Sequence, residues 1–483
     1  MKTPIHDFLL EHAAKNPVSF HMPGHKGSAL YRRLGYSTFL ERMVDCDVTE
    51  IVGADNLFQA EGIIKEAQDR YAKLYGVQKS YLLINGTSGG IIAAVLAAVP
   101  RGGKLIMARN SHKSVFNALN LAGAKPVYAY PDLLGEHGIS GPISPKQIEE
   151  LLASNPDAHA VILPSPNYYG VCSDIEAIAA ITRKYQKVLI VDEAHGAHLA
   201  FFNRYGTRPM PKAEEHAGAD IVIASVHKTL ASFTQSAVLH LTSDRVDASL
   251  LEDKLQCVES TSPSYLLMAS LDINASILEE RGARLFAEWE ENLNFFYEQA
   301  AKIKGLRFIG QEEGMDWSKL NFSLGIHGAA LEQTLIEEYG VFIELYTGDM
   351  VMCMTGIGNT RAHIEKLVNA LGDIAAREKP DDAASALQTA DQEKERGENL
   401  FSLSTRAEIF EVPTVKRRTP LSEADGLICA SSIIPYPPGI PLVCPGEKLN
   451  ADTIRYIKRA RELGEKVIGV NENGEILTGT PAG

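Results

Sequence analysis

Short apolar runs alternate with helical patterns between about residues 60 and 240. Each apolar run is four or five residues long and is bounded by turn residues, as expected of buried strands. The runs are Tyr81–Ile84, Lys104–Met107, Pro126–Tyr130, Ala160–Pro164, Val188–Asp192 and Ile221–Ser225. Patterns with helical periodicity lie between them, at 89–99, 144–154 and 174–185. This alternation predicts an α/β fold with a mostly parallel sheet that helices cover on both faces.

The pattern changes outside this region, and the changes predict the domain organisation. Residues 1–50 are expected to form an N-terminal arm, and 51–285 the large domain. A long helical pattern at 271–299 leads into a small α/β domain at 286–376, with strand-like stretches at 306–309 and 341–344. Residues 377–404 are charged and poor in large apolar side chains, which is typical of a linker. Residues 405–483 return to apolar sequence and are expected to form a C-terminal α/β segment.

The composition of the chain argues against several classes of function. The net charge of −14, from 47 basic and 61 acidic residues among 483, argues against nucleic-acid binding through phosphate contacts. No apolar run reaches the roughly 18 residues of a membrane span, and the N-terminus has no signal-peptide core. The six cysteines form no CxxC pair. We therefore expect reduced thiols, no metal site and a cytoplasmic location.

Two charged residues follow predicted strands where burial makes charge costly. Lys228 comes just after the run at 221–225, and desolvation would make its amine nucleophilic, as Schiff-base formation requires. Asp192 ends the run at 188–192. In pyridoxal-phosphate enzymes an acid in this place keeps the ring nitrogen protonated. Each residue alone also fits a structural role: a surface lysine at a strand end, or an aspartate that caps a helix or binds a metal.

A Gly-rich turn and a histidine complete the pattern. Residues 84–90 read Ile-Asn-Gly-Thr-Ser-Gly-Gly before an apolar helix, and such a helix start can bind phosphate. His112 follows the run at 104–107 and could stack on a cofactor ring. Gly-rich turns before helices are common, and a histidine here could simply cap a helix. The order of phosphate turn, stacking histidine, acid and lysine, each after a strand, is the specific signal.

These motifs resemble the Orn/Lys/Arg decarboxylase family, whose members have the aspartate-aminotransferase-like (fold type I) architecture with a seven-stranded sheet. The shared motifs are Pro-Gly-His-Lys at 23–26, Gly-Thr-Ser-Gly-Gly at 86–90, His-Lys-Ser at 112–114, Asp-Glu-Ala-His-Gly at 192–196, Ser-Val-His-Lys at 225–228, Ser-Thr-Ser-Pro-Ser-Tyr at 260–265, and Pro-Pro-Gly-Ile-Pro at 437–441 with Pro-Gly-Glu at 445–447. The resemblance is dense over 1–285, clear over 425–450 and thin over 300–420.

The resemblance implies pyridoxal 5′-phosphate as the cofactor, with Lys228 as its Schiff-base lysine. It implies that Asp192 faces the ring nitrogen, His112 stacks on the ring and His195 lies beside it. Lys228, His195 or His227 would return a proton to Cα. The residues implied around the phosphate are Thr87, Ser88, Gly89, Ser225 and His227, with Ser260 reaching the phosphate of a neighbouring subunit. The site would then be shared across a homodimer or a tetramer.

The reaction expected from the resemblance is decarboxylation of a basic amino acid in polyamine biosynthesis, preferably of arginine to agmatine, with lysine and ornithine as alternatives. Aminotransferases of this fold hold the substrate carboxylate with an arginine, and residues 351–355, at the corresponding place, contain none. Tight binding of a carboxylate in the ground state would oppose its loss as CO2. The same cofactor signals also fit an aminotransferase or lyase, and the fold alone would fit a regulator without activity. We interpret Arg361, which follows, as structural.

A basic substrate also needs a distal acid. The candidates are Asp47, Glu50, Asp55, Glu344, Asp349 and Glu447, of which we favour the last four. Each also fits an ordinary surface acid. Residues 54–58 read Ala-Asp-Asn-Leu-Phe where the family has Leu-Asp-Asp-Leu-His, which bears on specificity if this stretch lies near the site. Pro23 comes so early that we expect a short form without the N-terminal assembly domain of larger relatives.

Overall fold

The computed structural model describes residues 2–135, 137–312, 314–377, 408–410, 412–436, 440–462, 464 and 466–479. The linker predicted at 377–404 lies, beyond its first residue, outside this part of the chain. The helices are α1 (Pro4–Ala14), α2 (Ser28–Arg33), α3 (Ser37–Glu41), α4 (Ile63–Tyr75), α5 (Gly86–Ala98), α6 (Lys113–Ala122), α7 (Pro145–Ser154), α8 (Ile175–Lys184), α9 (Leu199–Tyr205), α10 (Glu214–Ala217), α11 (Val226–Thr229), α12 (Ala248–Val258), α13 (Tyr265–Ala300), α14 (Gly328–Tyr339), α15 (Arg361–Arg377) and α16 (Ala451–Glu462), with 3₁₀ turns at Leu57–Gln59 and Leu421–Glu423.

The strands are β1 (Val18–Ser19), β2 (Lys79–Leu83), β3 (Lys104–Ala108), β4 (Lys125–Ala129), β5 (Leu133–Leu134), β6 (Ile139–Ser140), β7 (Ala158–Pro164), β8 (Val188–Asp192), β9 (Ile221–Ala224), β10 (Ala237–Leu241), β11 (Arg307–Phe308), β12 (Lys319–Ser323), β13 (Val341–Phe342), β14 (Leu345–Thr347), β15 (Met350–Met354), β16 (Arg417–Pro420), β17 (Ile428–Cys429), β18 (Ile434–Tyr436), β19 (Lys466–Ile468) and β20 (Glu475–Gly479).

The central sheet has seven strands in the order β2-β10-β9-β8-β7-β3-β4. All are parallel except β10, which runs antiparallel to both its neighbours. The predicted α/β fold with a mostly parallel seven-stranded sheet is confirmed, and six of the strands match predicted runs. The seventh, β10, is missing from those runs because His240 interrupts its apolar sequence. His240 is buried and its Nδ1 lies 2.8 Å from Ser80 Oγ on the paired strand, so a local polar contact replaces apolar packing.

Helices cover both faces of this sheet, which explains the continuous apolar runs. One face packs against α5, α6 and α12 in a core that includes Leu105, Met107 and Ile162. The alternate side chains of the same strands, such as Ile106 and Val161, pack against α7 and α8. The largest core joins α4, α9 and α13 to the smaller sheet. The carboxyl ends of the parallel strands therefore lie together at one edge of the sheet.

The second sheet is antiparallel, with four strands in the order β11-β12-β15-β14, and it carries α14 and α15. The helix α13 has 36 residues and continues through residue 285, where we predicted the boundary between the large and small domains. The stretch predicted as a strand at 341–344 is β13, which pairs in parallel with β1 of the N-terminal arm. The arm thus joins the small domain instead of lying free.

The C-terminal segment forms a three-stranded sheet, β16-β20-β17, and a two-stranded sheet, β18-β19. The amphipathic helix α16 covers a core that includes Ile433, Leu442 and Ile457. This is the C-terminal α/β segment that the composition predicted. In the described part of the chain, no helix is both long and apolar enough to cross a bilayer.

Candidate active site

Four predicted site residues lie where central strands end. Asp192 is the last residue of β8, and Lys228 lies in α11, four residues after β9. His112 follows β3 as the N-cap of α6, and Thr87 is the second residue of α5, which follows β2. Ligands of parallel α/β sheets bind at this edge, where strands deliver side chains from distant sequence to one place.

Lys228 is the centre of the site. Its Nζ lies 3.0 Å from Nε2 of His195. Burial lowers the pKa of Lys228 below that of a free lysine, while the charges of Asp192 and Glu344 act in the opposite direction. A buried amine with a lowered pKa has more of the neutral form that attacks a carbonyl carbon.

Asp192 is buried beside that amine. Its Oδ1 accepts a hydrogen bond of 3.1 Å from the backbone amide of Ala194. Burial raises the pKa of Asp192, and the nearby positive charge of Lys228 opposes that effect. A carboxylate buried in this way gains from a cationic partner such as a protonated pyridine nitrogen.

The three site histidines have different surroundings. Burial, with a contribution from the charge of Lys228, lowers the pKa of His112 to about 3, so its ring is neutral and apolar enough to stack. Burial also lowers the pKa of His195 well below normal. Nδ1 of His195 is buried without a hydrogen-bond partner among the described residues, and its ring centre lies 4.8 Å from that of Tyr168. Nδ1 of His227 lies 2.8 Å from the carbonyl oxygen of Ser236.

The Gly-rich turn forms the other end of the site. Thr87 Oγ1 and Ser225 Oγ lie 3.1 Å apart, although the residues are far apart in sequence. Gly86 has a φ of +66°, which favours glycine, and places the first amides of α5 at the strand end. Ser88 and Gly89 occupy the following turn of the helix. Ser260 lies outside this group and is exposed, with its Oγ 3.2 Å from the amide nitrogen of Ser262.

These residues fit pyridoxal phosphate. Hydroxyl groups and the start of α5 suit the phosphate, and the buried carboxylate of Asp192 suits the ring nitrogen. Nδ1 of His195 is buried without a hydrogen-bond partner among the described residues and could bond to a polar group of the cofactor or substrate. Lys228 is the amine that would hold the carbonyl group. No single residue defines the fit, since it depends on four strand ends at once.

All four favoured substrate acids have partners within the chain, and three of them are held away from Lys228 by hydrogen bonds or ion pairs of their own. Asp55 accepts hydrogen bonds from the amides of Gly62 and Ile64 at the start of α4. Asp349 pairs with Arg307 on the surface of the small domain, at 2.6 Å. Glu447 forms a buried two-pronged ion pair with Arg109, with both N–O distances 2.9 Å. Asp47 and Glu50 are exposed.

Glu344 is the fourth acid, and its charge acts on the pKa of the site lysine. Its side chain is largely buried, accepts a hydrogen bond of 3.0 Å from the amide of Met22, and lies 3.8 Å from Nδ1 of His21. Its charge acts on the pKa of both Lys228 and Lys26. The negative charge of Glu344 therefore acts on the site lysine from the small domain.

Two lysines near the site, the half-buried Lys26 and the buried Lys319, were not predicted. Nζ of Lys26 donates to the carbonyl oxygen of His21 at 2.6 Å, and burial lowers the pKa of Lys26 to about 7. Nζ of Lys319 donates to the carbonyl oxygen of His195 at 3.0 Å and pairs with Asp316 at 2.8 Å. Lys26 belongs to the Pro-Gly-His-Lys motif, which could have revealed it. Lys319 lies in a part of the sequence without a recognisable motif.

The fold and this constellation define a class: a fold type I pyridoxal-phosphate enzyme. Two family models match the chain, the Orn/Lys/Arg decarboxylase major domain over residues 3–313 and the C-terminal domain of the same family over 406–475. The chain belongs to the Orn/Lys/Arg decarboxylase family. The predicted family is confirmed, and with it pyridoxal phosphate as the cofactor and amino-acid decarboxylation as the reaction class.

Individual relatives agree with this family. The arginine decarboxylase of Bacillus subtilis is 32% identical over 98% of this chain and 96% of that protein. The lysine decarboxylase LdcA of Pseudomonas aeruginosa is 25% identical over 95% of this chain and 76% of that protein. Among solved structures, the constitutive lysine decarboxylase of E. coli superposes with a TM-score of 0.75 at 20% identity, covering 99% of this chain and 82% of its own.

Proposed function

We propose that this protein decarboxylates L-arginine to agmatine and CO2 and that agmatine then enters polyamine biosynthesis. The observation that carries the proposal is the buried Lys228 amine, 3.0 Å from His195 and beside the buried carboxylate of Asp192. The choice of arginine is supported by three relatives named arginine decarboxylase that are 31–32% identical over nearly the whole chain. Lysine and ornithine are the competing substrates, since relatives named for them are 25% and 22% identical.

In this proposal each residue has a distinct task. Bound pyridoxal phosphate supplies the ring that accepts the electron pair of the breaking Cα–carboxylate bond. Lys228 would hold the cofactor through its side-chain amine, and Asp192 would keep the ring nitrogen protonated. His112 stacks on the ring. Thr87, Ser88, Gly89 and Ser225 bind the phosphate together with His227.

The proton that replaces CO2 on Cα would come from the Lys228–His195 pair. A separation of 3.0 Å allows a proton to pass between Nζ and Nε2 within one hydrogen bond. His227 is the second candidate donor. Its Nδ1 is already engaged with the carbonyl oxygen of Ser236, so only its other nitrogen remains for this task. That engagement favours the first pair.

Glu344 is our choice for the acid that binds the guanidinium group. It differs from Asp55, Asp349 and Glu447 because its charge acts on Lys228. A guanidinium presents several N–H donors in a plane and matches a carboxylate better than an ammonium does. A buried carboxylate on the small domain, facing the lysine on the large one, would hold the two ends of a long basic substrate.

Loss of CO2 is favoured over transamination by the surroundings of the substrate carboxylate. Residues 351–354 belong to the buried strand β15, and no arginine lies on it. Arg361 stacks on the ring of Phe295, with 4.1 Å from its Cζ to the ring centre. That packing supports our interpretation of Arg361 as structural. Without an arginine on this strand to hold it, the substrate carboxylate is free to leave as a neutral molecule.

We also propose a homodimer with shared sites, located in the cytoplasm. The residue Ser260 is exposed, as contact with the phosphate of a neighbouring subunit would require. Large apolar side chains are exposed in the arm and before α4, and burying them would favour association. They are Ile5, Phe8, Leu9, Leu10, Val44, Ile51, Val52 and Ile63. All six cysteines are free thiols, as expected in a reducing compartment.

The experiment is a substrate panel with CO2 detection. Purified holoenzyme is given arginine, lysine, ornithine and an aromatic amino acid, and the amine products are identified. We expect arginine to have the highest kcat/KM and agmatine to be the product. Preference for lysine or ornithine would overturn the choice of substrate. Amino-group transfer to a keto acid without CO2 release would overturn the reaction.

A further inference from the structure

Glu259 is a buried carboxylate that packs against the Gly-rich turn from behind. It follows the last residue of α12 and is 7% exposed. Its Oε2 accepts hydrogen bonds from the amides of Ile84 at 3.2 Å and Asn85 at 3.0 Å. These are the last amides before α5 begins. The carboxylate thereby fixes the path of the chain as it leaves β2 and enters the phosphate turn.

Two further contacts attach the same segment to the turn. Nδ2 of Asn85 donates to the carbonyl oxygen of Val258 at 2.7 Å. A Cβ atom added to Gly89 would lie 3.1 Å from Oε1 of Glu259, closer than most real contacts, so a larger residue at this position would displace the carboxylate by a few tenths of an ångström. Oε1 itself is buried and has no hydrogen-bond partner among the described residues. One oxygen is thus fully engaged, and the other is directed at the helix that is to bind a phosphate.

We propose that Glu259 is a positioning residue of the cofactor-phosphate turn and that it takes up a proton from solvent when the phosphate binds. The proton goes to the carboxylate and no bond of the cofactor changes. The physical reason is repulsion: a carboxylate and a phosphate dianion at the same buried turn destabilise each other, and protonation removes one charge. This inference rests on the proposed placement of the phosphate at residues 86–89.

Glu259 forms no ion pair among the described residues, and the lysines nearest to it are paired with other acids. It lines a cavity of about 320 Å³ between α12, β2 and the 3₁₀ turn before α4. Other charged side chains line that cavity, and they are Glu61, Lys65, Asp69, Lys79 and Glu252. Lys65 pairs with Asp69 and Lys79 with Glu252, and none of these ion pairs includes Glu259. Burial raises the pKa of Glu259 to about 7, with the two backbone amides acting in the opposite direction.

The raised pKa of Glu259 determines how cofactor binding changes with pH. Because the pKa is raised, the carboxylate changes charge near neutral pH, and a bound dianion raises that pKa further. Cofactor binding is then tightest below pH 7 and weakens as the pH rises. A Glu259→Gln variant mimics the protonated form, since its amide oxygen still accepts the bonds from Ile84 and Asn85. It should bind the cofactor equally well on both sides of neutrality.

The test measures the rate at which the holoenzyme releases its cofactor after dilution, at pH 6 and at pH 8.5. The loss of visible absorbance of the bound cofactor reports that rate. We expect wild-type protein to release the cofactor several-fold faster at the higher pH, up to about tenfold, since a one-unit linked pKa shift changes the affinity by at most that factor. Glu259→Gln should reduce that ratio to near one. Glu259→Ala, which leaves two amides without an acceptor, should release faster at both pH values.

The matched control is Glu252→Gln, on the same helix and paired with Lys79. It should keep the wild-type ratio. The proposal is overturned if Glu259→Gln keeps the wild-type ratio, if it releases as fast as Glu259→Ala at both pH values, or if Glu252→Gln removes the pH dependence equally.

A separate variant tests the phosphate placement. Thr87→Val should release the cofactor faster at both pH values, since it removes a hydroxyl from the turn. If its release is unchanged, the proposed phosphate site is wrong, whatever Glu259 does. Calorimetry of holoenzyme reconstitution in two buffers of different ionisation enthalpy then counts protons directly. We expect uptake with pyridoxal phosphate near pH 7.5, and less with pyridoxal, which lacks the phosphate; equal uptake would overturn the linkage.

Discussion

Nζ of Lys228 lies 3.0 Å from Nε2 of His195, and both groups are buried. Burial lowers the pKa of each, so the pair is poised to share a single proton instead of carrying two charges. The carbonyl oxygen of His195 is fixed by Lys319 from the small domain. The geometry of the reacting amine therefore depends on contacts between the two parts of the molecule.

The first prediction concerns Lys228. Lys228→Ala should abolish the visible absorbance of bound cofactor and lower kcat by roughly three orders of magnitude or more, since it removes both the nucleophile and a proton donor. Lys228→Arg keeps the charge without a nucleophilic amine and should be equally inactive. Absorbance spectra and CO2 release measure the two effects. Wild-type turnover in either variant would contradict the assignment of Lys228.

Asp192→Asn is the second prediction. It keeps the size of the side chain but cannot hold the ring nitrogen in its protonated state. We expect kcat to fall on the order of 10²- to 10³-fold, the effect of removing one preorganised electrostatic group, while the protein stays folded. Steady-state kinetics and circular dichroism check this. A variant with a normal kcat and a raised KM would show that Asp192 only contributes to binding.

The third prediction separates Glu344 from the other acids. Glu344→Gln removes the negative charge but keeps an acceptor for the amide of Met22. Loss of a charged hydrogen-bond partner costs about 1.5–3 kcal/mol, so KM for arginine should rise roughly 10- to 150-fold. Asp349→Asn, on the same domain but paired with Arg307 at the surface, is the control and should change KM little. Equal KM values for both variants and wild type would remove Glu344 from the substrate site.

Much of the site could be predicted because its signals are local. Asp192 and Lys228 each follow an apolar run that is buried on both faces, so the strand end itself identifies them. The antiparallel strand β10 escaped prediction because His240 breaks its apolar pattern. The role of Glu447 also escaped, since its partner Arg109 is 338 residues away in sequence. A carboxylate reveals its charge in the sequence, but the cation that neutralises it is determined by tertiary packing.

The fourth prediction concerns the buried pair of Lys319 and Asp316. Lys319→Met leaves the carboxylate of Asp316 without its lysine and should destabilise the fold by about 3–5 kcal/mol in urea unfolding. The neighbouring charges of His198 and Lys319 outweigh burial and lower the pKa of Asp316. Its contribution to stability is therefore complete above the unfolded pKa near 4 and is lost as the pH falls below it. The stability difference between Asp316→Asn and wild type should shrink in the same pH range.

If the pair of Lys319 and Asp316 had only a structural role, its loss would leave kcat unchanged in the folded protein. Because Lys319 holds the carbonyl oxygen of His195, we expect Lys319→Met to lower kcat as well, at temperatures where the variant remains folded. The double variant Lys319→Met/Asp316→Asn should recover part of the stability, since no unpaired charge remains. It should not recover kcat. Recovery of both would reduce the pair to an ordinary structural contact.

The last prediction concerns Glu447, whose carboxylate is bound by Arg109 and also accepts a hydrogen bond from the amide of Cys444 at 2.8 Å. Glu447→Gln leaves the buried guanidinium of Arg109 without a counter-charge and should cost about 3–5 kcal/mol of stability. The surface pair of Glu408 and Lys448 is the matched control, and Glu408→Gln should cost no more than about 1 kcal/mol. In the folded fraction, KM for arginine should stay unchanged in both variants. A rise in KM with normal stability would instead show that Glu447 binds the substrate, and it would contradict the assignment of that role to Glu344.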